Sequence, residues 1–305
     1  MAKTTIEWTD RVWNPLRGCS RVSEGCRNCY AERLAARFSK PGGPAIGGGS
    51  YPAQAFHGLA EMTEAGPRWT GKVGFVEENL HEPLHWRRPQ RVFVNSMSDL
   101  FHESVPDAWL DKIWGVMSMA RQHTFQVLTK RPERMLAYFT RNSDAFKAIP
   151  GAWSFPLPNL WLGVSVESQE TADDRIPPLL RTPAAVRWIS AEPLLGPLDL
   201  RTCGLWSDMN GIIAETPPFN VGLDWVVVGG ESGPGARPFA AEWARNIVGQ
   251  CRDARVPAFV KQLGAYPLLD SRYNRTLRGA RRLRDKKGGD MSEWPEDLRV
   301  REIPR

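Results

Sequence analysis

Six short runs of apolar, β-prone residues punctuate the chain: Arg91 to Asn95, Phe125 to Leu128, Leu160 to Val166, Val186 to Ser190, Trp225 to Val228 and Ala258 to Val260. They are apolar throughout rather than alternating, which is the pattern of strands covered on both faces. They lie roughly 25–40 residues apart, the length of one βα unit. A shorter run near Ile6 to Trp8 would add a first strand. The pattern predicts an α/β fold, a complete or partial (β/α) barrel of about six to eight parallel strands, with an open doubly wound sheet as the competing arrangement.

Helical periodicity fills some of the gaps. Leu110, Ile113, Trp114 and Met117 share one face of a predicted helix over Pro106 to Arg121, with Ser104 as its expected cap. A second helix is expected from Glu242 to Ala254 and a short third from Tyr30 to Phe38. Gly- and Pro-rich residues near 41–58, and an aperiodic stretch near 201–223 containing Pro217 and Pro218, read as inserted loops. The expected organisation is a barrel domain over residues 1–270 followed by a basic C-terminal segment, 271–305. No internal repeat signals a solenoid.

Composition narrows the class. At 305 residues and 42% hydrophobic content the chain can bury a large core. The opening residues hold no apolar signal core and no apolar run is long enough to span a bilayer, so a cytoplasmic location with no membrane partner is expected. The net charge of +6 is concentrated: eight basic residues and one acid, Asp285, lie between Arg272 and Lys287. Such a run, with Tyr273 inside it, suits DNA or RNA phosphates, whereas a solvated surface is its plainer reading. Of the thirteen tryptophans, Trp8, Trp13, Trp69 and Trp86 cluster early; bases could stack on them, but core packing is the expectation for most.

The chemistry begins with three thiols in one loop, Cys19, Cys26 and Cys29. Thiolates this close in sequence point to a shared metal. A closed zinc site and an electron-transfer cluster both want four protein ligands, whereas three thiolates on a 4Fe-4S cluster leave one iron open to a ligand. Zinc remains the second reading, with His57, His81, His85 and His102 as candidate partners. Cys203 and Cys251 are distant, and Cys251 falls on the stripe Ala244, Ile247, Val248, Cys251, where a thiol acts as a small core residue.

In parallel α/β folds ligands gather at the carboxyl ends of strands, and every predicted strand here ends in polar residues. Ser96, Ser98 and Asp99 follow the first run, Lys130 the second, Ser165 and Glu167 end the third, Glu192 follows the fourth, Gly229, Gly230 and Glu231 the fifth, and Lys261 the sixth. Singly each has a bland explanation as a turn cap or an ion pair. Together they predict a polar pocket for a zwitterionic, nucleoside-bearing ligand, with Gly229 and Gly230 letting backbone amides approach a carboxylate. Neither glycine run fits a P-loop or the dinucleotide fingerprint.

A three-cysteine loop ahead of about six parallel strands resembles the radical S-adenosylmethionine enzymes. More closely, Thr5-Ile6-Glu7-Trp8-Thr9, Trp13-Asn14-Pro15, Phe93 to His102, Leu128 to Pro132, Glu192 to Gly196, Gly229 to Gly233, Lys261-Gln262, Lys286 to Asp290 and, near the end, Glu293-Trp294-Pro295 resemble a phage-associated family of largely uncharacterised proteins. A more distant similarity is to spore photoproduct lyase, through Ser96 to Asp99 and Thr129-Lys130. The superfamily's usual loop has three residues between its first two cysteines and an aromatic before the third; here six separate Cys19 from Cys26, and Tyr30 follows Cys29.

The resemblance implies that Cys19, Cys26 and Cys29 hold a 4Fe-4S cluster. It implies that Ser96, Ser98, Asp99, Ser165, Glu167, Glu192, Gly229, Gly230 and Glu231 contact S-adenosylmethionine, and that Lys130 and Lys261 meet substrate phosphate. A 5′-deoxyadenosyl radical would then modify or repair nucleic acid or a nucleotide, with an electron donor as partner. The alternative is a nucleic-acid-binding protein stapled by zinc or a cluster, without radical chemistry.

Overall fold

The computed structural model describes residues 4, 6–39, 55–148, 156–203, 222–269 and 283–304, with the side chains of 143–148 left aside. Most of both predicted insertions, and Arg272, Arg275, Arg278, Arg281 and Arg282 of the basic run, lie outside the described residues. In chain order the elements are β1 (Arg11–Trp13), β2 (Leu16–Arg17), α1 (Tyr30–Arg37), β3 (Ala60–Thr63), β4 (Gly66–Trp69), β5 (Gly74–Phe75), α2 (Glu77–Leu80), β6 (Arg91–Val94), α3 (Asp107–Met119), β7 (Thr124–Thr129) and α4 (Pro132–Ala148). They continue with β8 (Leu160–Ser165), α5 (Gln169–Arg181), β9 (Val186–Ala191), β10 (Trp225–Gly229), β11 (Phe239–Ala240), α6 (Ala241–Ala254), β12 (Ala258–Gln262) and β13 (Pro267–Leu268).

Seven strands form the main sheet in the order β1-β6-β7-β8-β9-β10-β12. The pairings β1–β6, β6–β7, β9–β10 and β10–β12 are all parallel. This α/β arrangement, with helices α3 to α6 between successive strands, is that of a partial (β/α) barrel. All six apolar runs are strands. The first strand, however, is Arg11–Trp13, whereas Trp8 lies in a turn. The side chain of Thr9 and the amide of Asp10 both donate to the carbonyl of Arg91, and that closes the turn just before β1 pairs with β6.

The chain divides into two compact units, Met1–Leu162 and Gly163–Arg305. In the first, α3 buries Leu110, Ile113, Trp114 and Met117 as its spacing required. Its N-cap is Pro106 rather than Ser104, because the fixed proline φ of −63° already sets the extended backbone that starts the helix. In the second unit, Trp188 lies over Gly163, where an added Cβ would meet the indole at 2.5 Å. The described part of the C-terminal segment belongs to this unit: Val260 donates to the carbonyl of Val300, Trp225 Nε1 donates to that of Glu302, and Trp294 and Leu298 are buried. Residues 300–302 thereby cover β12, the edge of the sheet. Trp8, Trp13 and Trp86 are buried core side chains, so they offer no face to a base; Trp69 is half-buried. Cys251 is fully buried on α6, as its place on the apolar stripe implied.

Candidate functional site

The cysteine loop is anchored at both ends within the first unit. Gly18 sits at φ 94°, and a Cβ there would meet the carbonyl oxygen of Lys72 at 2.2 Å, so only glycine lets the chain enter the loop at this point. The Gly18 amide donates to the carbonyl of Met97, and Gly18 bridges Ser98. The loop leaves through Cys29, the N-cap residue of α1. There the thiol meets the amides of Ala31 and Glu32, while Cys29 N donates to the carbonyl of Cys26 at 3.3 Å.

A buried carboxylate clamps the loop. Glu32, 1% exposed, accepts from Arg21 Nε and Nη2 and from the Trp69 amide, the last at 2.9 Å, and Arg21 Nη2 also donates to the carbonyl of Pro67. Loop, helix α1 and the β3–β4 hairpin are thereby tied by one residue. Ala31, Ala35, Ala36, Phe56, Ala60 and Met97 form the apolar cluster beneath them, with Cys29 packed against it.

A second network holds the first cysteine. Asp99 accepts four bonds, from Phe101 N, Thr129 Oγ1, Lys130 N and Arg131 Nη1, at 2.7–3.1 Å. Arg131 also donates from Nε to Glu103 at 2.7 Å and from Nη2 to Ser20 Oγ at 2.7 Å, next to Cys19. His102 Nδ1 accepts from the Ser104 amide, which leaves Nε2 to donate to Ser20 Oγ at 2.9 Å. Burial, and then Arg131, push the His102 pKa below its usual value, favouring this neutral ring. Burial would raise Glu103, but its own amide and Arg131 bring it down to about 2.

Two of the thiols, Cys19 and Cys29, are set as protonated groups by this surrounding. Burial pushes Cys19 up to about 12, with Asp99 adding and Arg131 opposing. Burial likewise raises Cys29, against the pull of the Glu32 and Ala31 amides. The three thiols also act on one another: Cys26 and Cys29 both raise Cys19. Among the described residues no group of three His, Cys, Asp or Glu side chains stands arranged to hold a metal ion. The donor set nonetheless fits a cluster chemically: three soft thiols lie within mutual electrostatic range, and the two helix amides at Cys29 and the arginine beside Cys19 favour thiolate against burial and the neighbouring sulfurs.

The other expected residues fall into place as follows. Ser96 Oγ donates to Asn14 Oδ1 and Ser98 Oγ to the carbonyl of Leu16, while Tyr30, 56% exposed beside Cys29, donates its hydroxyl to the carbonyl of Ser96. Lys130 is half-buried, its amide on Asp99. In the second unit Ser165 Oγ donates to the carbonyl of Glu192, and buried Glu167 pairs with Arg175 at 3.0 Å. Glu192 accepts from Lys261 at 2.8 Å and from Gln262 at 3.1 Å, so the expected phosphate contact Lys261 already holds a carboxylate. Gly229 and Gly230 do serve close approach, but to the protein itself: a Cβ on Gly229 would meet the Glu192 carboxyl at 3.1 Å, and one on Gly230 the Leu263 carbonyl at 2.5 Å. Glu231 is held by Arg237 through three bonds of 2.7–3.0 Å.

The structure thus gathers the cysteines, Ser96, Ser98, Asp99 and Lys130 in the first unit, and Ser165, Glu167, Glu192, Gly229, Gly230, Glu231 and Lys261 in the second. Several of its organising residues carried no signal of their own in the sequence: Arg21, Glu32, Arg175 and Arg237; Arg131 was legible only as part of the polar end of the second predicted strand. Gln126 was missed as well, fully buried in β7 with neither end of its amide hydrogen-bonded among the described residues; the one polar residue of an apolar run was its only signal. Of the basic run, Arg284, Lys286 and Lys287 are described and exposed, and Arg284 lines a cleft of about 620 Å³ with Trp294 and Arg299. Among the described residues no helix is long and apolar enough to cross a membrane.

Fold and site define an α/β protein of partial-barrel class with a three-cysteine loop clamped beside its first parallel strands. The chain belongs to the family described as "Protein of unknown function (DUF5131)", whose family model matches residues 3–292. No curated protein and no solved structure matches the chain.

Proposed function

We propose that the protein is a radical S-adenosylmethionine-type iron–sulfur enzyme acting on nucleic acid or a nucleotide. The observation that carries this is the clamped loop of Cys19, Cys26 and Cys29, three mutually coupled thiols with their own anchoring networks in a parallel α/β fold. A 4Fe-4S cluster there would offer one iron to S-adenosylmethionine and, given one electron, a 5′-deoxyadenosyl radical. The chain's own part is positional. Arg131 and Asp99 fix the Cys19 end through Ser20, and Glu32 with Arg21 fixes the Cys29 end, so that both ends of the loop are held while its thiols close on the group. Tyr30 gives an exposed aromatic face next to the third thiol. Lys130 and the run Arg272–Lys287 are the phosphate contacts of this reading. It also places the protein in a reducing cytoplasm with an electron-donor partner.

The test is anaerobic reconstitution with iron and sulfide, then reductant and S-adenosylmethionine, with 5′-deoxyadenosine measured with and without added oligonucleotide. The proposal expects cleavage that nucleic acid stimulates. Zinc near one equivalent with no sulfide and no 5′-deoxyadenosine would refute it in favour of a zinc-stapled binding protein.

A further inference from the structure

Against the cysteine loop lies a cleft of about 670 Å³, wholly within the first unit. Its walls are the loop itself, helix α1 and the β3–β4 hairpin, and its charged lining is Arg21, Arg27, Arg33 and Arg68 against Glu24. We propose that this cleft binds the phosphodiester backbone of a single-stranded nucleic acid, holding the strand alongside the cysteine loop. For the identity of its occupant the inference rests on the nucleic-acid reading above; for its existence it rests on the cleft.

The four arginines are not equivalent. Arg21 is neutralised by buried Glu32 and builds the walls. Arg27 has a carboxylate neighbour, Glu24, at 3.9 Å, but both side chains are mostly exposed, where such a pair contributes little. Arg33 donates to Asn28 Oδ1 at 3.0 Å and Arg68 to the carbonyl of Pro67 at 3.2 Å; among the described residues neither has an ion pair. Three guanidinium groups are therefore held around one concavity by neutral or weak partners, each a planar fork suited to phosphate oxygens. Ser23, in the same wall, has a hydroxyl with no hydrogen-bond partner among the described residues, an unmet donor next to this positive field. A concave, arginine-lined groove favours a threaded phosphate chain over an acidic protein surface, which would need a broad face of roughly 800 Å² rather than a slot.

The experiment is fluorescence anisotropy with a labelled single-stranded oligonucleotide and the full chain, titrated at several salt concentrations. Combined Arg27→Gln, Arg33→Gln and Arg68→Gln should weaken binding at least tenfold at low salt. It should also lower the slope of log affinity against log salt by about 2, from roughly 0.7 per single-strand phosphate contact. The three Lys replacements should keep most of that slope. Arg27→Gln alone, a change at an exposed position that leaves Arg21 and Glu32 untouched, should lower the slope by under 1 and serves if the triple variant misfolds. Unchanged affinity and slope in these variants overturn the proposal, as does displacement of the oligonucleotide by polyglutamate as effective as by unlabelled strand. Binding needs no cofactor chemistry, so strand binding lost in the variants stands even if no 5′-deoxyadenosine is ever formed.

Discussion

Arg131 joins three segments through one guanidinium: Asp99 in the turn after β6, Glu103 a few residues further on, and Ser20 beside the first cysteine. Asp99 and Arg131 are 8% and 10% exposed, so removing the arginine strands a buried carboxylate. Arg131→Ala is expected to cost about 3–5 kcal/mol in urea unfolding, and Asp99→Asn in the same background to recover part of it. A loss under about 1 kcal/mol, the scale of a surface pair, would show that the network does not hold the loop. Asp99 and Arg131 were each legible as polar strand ends; their pairing was not, because the arginine reaches the acid only once β6 and β7 are in register. The same holds for Glu167 with Arg175 and Glu231 with Arg237, where the acid reads as a ligand and the base beside it makes it an internal anchor.

At the scale of elements the strands were legible because a doubly covered strand is a continuous apolar run, and each of the six predicted runs overlaps an observed strand. Helices α4 and α5 were not singled out. Pro177 and Pro178 sit inside α5 and each removes an amide donor, which hides a helix that the Ser168–Thr171 capping box starts and that Ala172, Ile176, Leu179 and Leu180 bury. β1 was misplaced because three residues carry too little pattern, and its place is set by pairing with β6. Two glycines test the packing. Gly163→Ala drives a methyl into Trp188 and is expected to cost about 1–3 kcal/mol, whereas Gly115→Ala in α3, with nothing within 4 Å, should stabilise by about 0.5–1 kcal/mol. Equal effects in thermal melts would contradict the packing of β8 against β9.

For the whole molecule, the parallel α/β class and the cysteine loop could be read from sequence, while the environment of the thiols could not. Burial holds Cys19 near 12 and raises Cys29, so these two side chains are thiols rather than free thiolates, and a metal bound there would have to displace their protons. The central claim is that these three sulfurs carry a cluster. Iron and acid-labile sulfide, counted per chain after anaerobic reconstitution and alongside the visible spectrum, test it most directly. The account predicts close to four of each in the wild type, from the 4Fe-4S assignment, and their loss when Cys19, Cys26 and Cys29 are replaced together by alanine. Iron and sulfide retained by that variant, or never taken up by the wild type, would contradict it.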